Sequence, residues 1–135
     1  ACLVGSEMCI RDSPLNRGAI DKIAIRHALG LLKNNKVLGI FAEGNRQKNG
    51  KLGRFHDGAA SIALRTGIGI TPVAIIGSHN MKRNQVACII GKQVPVSKAK
   101  PTPEAIKEVN DRVKGEIQRM IDSYHENRIE ETLWK

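Results

Sequence analysis

Val37-Leu38-Gly39-Ile40-Phe41-Ala42-Glu43-Gly44-Asn45-Arg46-Gln47 is the stretch on which the fold turns. Its first five residues form a short apolar run, with Lys36 before it and a polar, glycine-punctuated loop after it. That is the pattern of a strand buried on both faces, as in a parallel sheet. On its N-terminal side, between Asp21 and Asn34, the residues Ile23, Ala24, Ala28, Leu31 and Leu32 recur at spacings of three and four. The spacing predicts an amphipathic helix stopped by Asn34 and Asn35. On the C-terminal side, Asp57 is placed to cap a helix through Arg65, ended by Gly67 and Gly69. The small residues Gly58, Ala59, Ala60 and Ser61 would let its first turn pack closely. Ile70–Ile76 and Gln85–Ile90 read as further strands, with Pro72 limiting the ladder bonds of the first. Thr102 is the expected N-cap of a long last helix, with Pro103 at its first position and Ile106, Val109, Val113, Ile117, Met120, Ile121 and Tyr124 along one face. Gly115 weakens that helix without breaking it. Helix, strand, helix, strand, strand, helix, joined by short loops, predicts an α/β fold with a largely parallel sheet flanked by helices.

The chain has 135 residues and a net charge of +9, enough for one domain and one core. The charge is uneven. Residues 13–103 carry 15 bases against the three acids Asp21, Glu43 and Asp57, whereas residues 104–135 carry six bases against eight acids. An anionic partner is therefore expected for the middle of the chain. Cys2, Cys9 and Cys88 form no CxxC pair and are odd in number, which argues against a disulfide scaffold or zinc ribbon and for a reducing compartment. No apolar run approaches the roughly 18 residues of a membrane-spanning helix. With one Trp, one Tyr and two Phe, a stacking platform for single-stranded nucleic acid is poorly supplied. Residues 1–13 fit neither a secretory signal nor a periodic element, and we read them as a non-native leader.

The loop after the first expected strand holds the chemistry. Glu43 stands between the apolar run and the bases Arg46, Lys48, Lys51 and Arg54. A carboxylate there can accept from substrate hydroxyls or hold Arg46; Gly44 lets backbone turn close to a ligand, and Arg46 offers a planar fork for phosphate. The same residues also suit a tight polar turn with a surface salt bridge. Gly44 to Lys51 is not a phosphate-binding P-loop: five residues separate Gly44 from Gly50 where four are required, and Leu52 stands where Ser or Thr would meet magnesium. No GxGxxG fingerprint supports a dinucleotide site.

Phe41-Ala42-Glu43-Gly44-Asn45-Arg46-Gln47 resembles the FPEGTRS block of the 1-acylglycerol-3-phosphate acyltransferase family, the lysophosphatidic acid acyltransferases. Leu15-Asn16-Arg17-Gly18 looks like that family's upstream arginine block. Lys51-Leu52-Gly53-Arg54-Phe55-His56-Asp57-Gly58-Ala59-Ala60 resembles its G-x-L-x-x-F-K-x-G-A segment, and Ile70-Thr71-Pro72-Val73-Ala74-Ile75 its I-V-P-V-A-I block. The resemblance runs from about Pro14 to about Arg128. It implies a glycerolipid acyltransferase-like domain, incomplete at its N-terminus, with residues 14–135 as its C-terminal part. Acyl transfer from a coenzyme A or acyl-carrier-protein thioester to the sn-2 hydroxyl of 1-acylglycerol-3-phosphate is the implied activity, in phospholipid biosynthesis, with no further cofactor and no metal.

On the matching positions, the resemblance makes Arg17 and Arg46 phosphate ligands, Glu43 the residue ordering the glycerol part or the arginines, Gly44 the close turn, and Asn45 a hydrogen-bonding neighbour. Thr71-Pro72-Val73 would shape a pocket wall. Ala42, Asn45 and Gln47 depart from the block's proline, threonine and serine, so the loop loses one fixed turn angle. The family's catalytic H-x-x-x-x-D pair is missing: His27, His56 and His79 are followed five residues on by Leu32, Ser61 and Asn84. His125 has Glu130 at that distance, late in the last helix, where both read as exposed helix residues. The pair is expected before Pro14, and this chain alone is expected to be inactive. The implied partners are a lyso-lipid, the acyl donor and an anionic membrane surface, without nucleic acid, at the cytoplasmic face as a peripheral protein. Two alternatives stay open: an acyltransferase for another lyso-lipid acceptor, and a basic module binding nucleic acid or anionic membrane.

Overall fold

The computed structural model describes residues 22–44, 51–78 and 86–133. By compactness the chain divides into Ala1–Leu38 and Gly39–Lys135.

In the first unit, α1 spans Lys22–Lys33, as its periodicity predicts. Its end is chemically explicit. Asn35 adopts a left-handed φ of 54°, the Lys36 N–H donates to the Leu31 carbonyl at 3.0 Å, and the Asn35 N–H to Leu32 at 3.1 Å. These paired bonds satisfy carbonyls the last turn leaves orphaned, and asparagine is the best non-glycine residue for that conformation. The Asn34 side chain adds a bond to the Gly30 carbonyl at 3.0 Å.

The second unit contains α2 (Asp57–Thr66), β1 (Val73–Ile76), β2 (Ala87–Ile90) and α3 (Pro103–Leu133). α2 starts one residue earlier than a capping Asp57 requires. The N-cap is His56, without a side-chain capping bond, and Asp57 is the first helical residue, where its charge complements the helix dipole. Gly67, at φ 72°, closes the other end, its N–H donating to Ala63. Ala60 is completely buried; Gly58 is exposed, and a Cβ there would meet nothing within 4 Å. Close packing thus falls one turn in from the helix start. α3 begins as its sequence predicts: the Ala105 N–H donates to Thr102 Oγ1 at 3.3 Å, and the helix runs through Gly115 unbroken.

The expected largely parallel sheet is replaced, among the described residues, by an antiparallel pair. Val73 faces Ile90, Ala74 faces Ile89, Ile75 faces Cys88 and Ile76 faces Ala87. Ten residues join the two strands, and a parallel return needs a dozen or more, usually through a helix. The pair is extended by a bridge between Ile70 and Val94, whose N–H groups donate to each other's carbonyls at 3.0 and 2.7 Å. Residues 37–41 carry no strand here, with Val37 97% and Phe41 84% exposed.

The core joins Ala60, Ala63 and Leu64 of α2, Val109, Val113 and Ile117 of α3, Ala74 of β1, and Phe55, Val94 and Val96 from the connections. α3 thereby contributes the stripe its periodicity assigns, with Ile106, Met120 and Ile121 packed beside it. Burying each such aliphatic side chain contributes roughly 1.5–3 kcal/mol. The opposite face of the strand pair stays bare: Val73, Ile75 and Ile90 are 42%, 49% and 73% exposed. Among the described residues no helix is long and apolar enough to cross a membrane.

Candidate functional site

Phe41 to Gly44 form a tight turn in which the Gly44 N–H donates to the Phe41 carbonyl at 3.1 Å. Gly44 has a φ of 65°, a conformation glycine adopts without the penalty a Cβ imposes. The turn is tied to the start of α2. The His56 N–H donates to the Ala42 carbonyl at 2.8 Å, and the imidazole lies over Gly44 so closely that a Cβ there would stand 2.8 Å from Cδ2 and 2.9 Å from Nε2. Ala42 and Leu52 pack against the core, and Phe55, only 7% exposed, anchors the returning segment. The Lys114 ammonium stands 6.0 Å from the Phe55 ring centre, at the outer limit of a cation–π contact.

The sheet, α2 and α3 therefore hold a short loop whose tip presents Glu43. Glu43 is half-buried, and among the described residues it has no hydrogen-bond or ion-pair partner. Lys51, Arg54 and His56 are exposed nearby in the chain. A carboxylate so placed can accept from a hydroxyl or orient a guanidinium, and the surrounding bases favour an anion.

Of the five candidate binding residues, Glu43 and Gly44 share this turn. Arg17, Asn45 and Arg46 lie outside the described residues. The Thr71-Pro72-Val73 block divides by exposure: Pro72 is buried, its carbonyl accepting the Gly91 N–H at 2.9 Å, while Thr71 and Val73 are exposed. His56 is the neighbour that the motif reading passed over. Its signal was present, since a glycine at an acidic turn needs something close to justify it, but only the fold shows that the close group is an imidazole. Among the described residues no group of three or more His, Cys, Asp or Glu could hold a metal. Cys88 is an exposed free thiol.

Comparison with known proteins places this turn in a wider context. Residues 10–76 match the sequence profile described as Acyltransferase, a span containing Glu43, Gly44 and His56. Over 84 residues the chain is 31% identical to the chloroplastic 1-acyl-sn-glycerol-3-phosphate acyltransferases of Arabidopsis thaliana and of Brassica napus. Each match covers 56% of this chain and 24% of the relative. No solved structure matches the chain.

Proposed function

Because residues 10–76 match the acyltransferase family, we propose that the chain forms the acceptor-phosphate side of a glycerolipid acyltransferase site. The parent reaction transfers an acyl group from a coenzyme A or acyl-carrier-protein thioester to the sn-2 hydroxyl of 1-acylglycerol-3-phosphate. The hydroxyl oxygen attacks the thioester carbonyl, the new ester C–O bond forms, the C–S bond breaks, and the hydroxyl proton passes through a general base to the leaving thiolate. In this reading Arg17 and Arg46 hold the phosphate, Glu43 orders the glycerol part or the arginines, and Gly44 with Asn45 brings backbone close to the ligand.

The observation that carries this proposal is the Phe41–Gly44 turn itself: an acid without a partner among the described residues, on backbone pinned to α2, inside the acyltransferase-matching span. Substrate arrives from lipid, and each base near anionic headgroups adds about 1 kcal/mol of attraction, which favours a peripheral position at the cytoplasmic face. The chain has no H-x-x-x-x-D pair, so chemistry by these 135 residues alone is not expected.

Calorimetric titration of the chain with glycerol 3-phosphate and with a short-chain lysophosphatidic acid tests the acceptor site. Arg46→Ala should weaken binding about tenfold or more, the worth of a charge-assisted phosphate contact, and Glu43→Ala should weaken the glycerol-containing ligands more than inorganic phosphate. Equal binding by wild type and both variants would overturn the assignment. Acyl transfer to lysophosphatidic acid by the purified chain would overturn its expected inactivity.

A further inference from the structure

A second cluster of bases lies away from the Phe41–Gly44 turn in sequence and shares no residue with it. The connection leaving β2 and the middle of α3 enclose a half-open cavity of about 220 Å³, lined by Lys92, Gln93, Pro95, Arg112, Glu116 and Arg119. Both walls are fixed by backbone. On one side, Gly91 is tied to Pro72 and Val94 is bridged to Ile70 by two hydrogen bonds, while Val94 and Val96 are buried. Gly91 abuts α3 so closely that a Cβ would meet Met120 Sδ at 2.8 Å, and Gly69 leaves room for the Gln93 side chain in the same way. On the other side, Arg112, Glu116 and Arg119 follow at helical spacings of four and three, one stripe round from the buried Val113 and Ile117.

The charges do not cancel. Glu116 is paired with Arg119, and among the described residues neither Lys92 nor Arg112 has an ion-pair or hydrogen-bond partner. Two uncompensated positive charges therefore share one small concavity with a rigid backbone. Its volume falls below the roughly 300 Å³ at which drug-sized pockets begin, and it suits a single tetrahedral anion. Arg112 supplies a planar fork and Lys92 a point charge.

We propose that this cavity binds one phosphoryl group, held between Lys92 and Arg112, with Arg119 kept in place by Glu116. The proposal is independent of the acyltransferase reading. Its ligand is free phosphate or the phosphate of a lipid headgroup, and the arms of the test separate the two.

Amide chemical shifts of the 135-residue chain are followed during titration with inorganic phosphate at constant ionic strength. Shifts confined to residues 91–96 and 112–119 are expected. Lys92→Gln with Arg112→Gln should weaken binding about fivefold or more, whereas Lys107→Gln, an exposed base on α3 outside the cavity, should change it less than about twofold. All three positions are exposed, and the wild-type shift map alone also decides. Shifts spread over the whole basic surface, or equal affinity in the double variant and wild type, would overturn the site. Vesicles of phosphatidylcholine with and without phosphatidic acid form the second arm. Response of the same residues only when phosphatidic acid is present makes a headgroup the ligand. Response to inorganic phosphate with silent vesicles makes it a soluble phosphate, and silence in both arms refutes the proposal.

Discussion

Replacing Gly44 by alanine separates two reasons for a glycine at the candidate site. The residue sits at φ 65°, where an L-residue with a Cβ loses roughly 1–2 kcal/mol. The new methyl would also stand 2.8 and 2.9 Å from the imidazole of His56, too close for any real contact. That ring is exposed and makes no capping bond, so it can swing away at about 0.5–1.5 kcal/mol. The total, roughly 1.5–3.5 kcal/mol, is large against the 5–15 kcal/mol that holds a typical domain together. Urea denaturation followed by helical circular dichroism measures it. A double-mutant cycle with His56→Ala then divides it, because that change removes the ring but keeps the backbone bond to Ala42. The cycle should return a coupling of about 0.5–1.5 kcal/mol, with the left-handed strain surviving in the His56→Ala background. A coupling near zero would refute the ring contact. Complete disappearance of the loss in that background would refute the left-handed turn.

Gly67→Ala should cost more than Gly44→Ala, although the two φ angles are similar. Its Cβ would meet Lys98 Cβ at 3.0 Å and the Lys98 backbone nitrogen at 3.3 Å, and backbone cannot swing aside; a loss of about 2–4 kcal/mol is expected from strain and overpacking together, read by the same denaturation. Gly115→Ala should go the other way, raising stability by about 0.5–1 kcal/mol, because the position is mid-helix, exposed and free of neighbours within 4 Å. Thr102→Ala should lower it by about 1 kcal/mol through loss of the α3 cap, with thermal denaturation as the measure.

Elements set by local chemistry are legible in the sequence. The last helix declared itself through the Thr102-Pro103 start and the stripe from Ile106 to Ile121, and the first through the Asn34-Asn35 stop; in both cases the residues that carry the signal also make the bonds. Sheet order was less legible because it depends on partners distant in sequence. Apolar runs such as 70–76 say that a strand is buried, but not beside which neighbour or in which direction. The ten-residue return to β2 was the one local fact bearing on direction, and it favours the antiparallel pair that forms. The motif residues were legible as chemistry and not as geometry. Glu43 and Gly44 stand in a tight turn, and the imidazole over Gly44 follows from a contact spanning twelve positions that no spacing rule reports.

The exposed run 37–41 joins these two limits. Its composition calls for burial on both faces, yet Val37 and Phe41 are largely exposed, and one face of the strand pair is partly exposed at Val73, Ile75 and Ile90. α3 packs against one face of the strand pair, and among the described residues nothing covers the other. An apolar patch of that kind is a strong attractor for whatever layer completes it. The turn at Glu43 lies directly after the exposed run but is held by its own backbone bonds, from the Gly44 N–H to the Phe41 carbonyl and from the His56 N–H to the Ala42 carbonyl. Variants of Phe41 that leave the Ala42–His56 bond intact should alter anion binding at the turn far less than Gly44→Ala does, and titration with glycerol 3-phosphate alongside the denaturation curves would expose any exception.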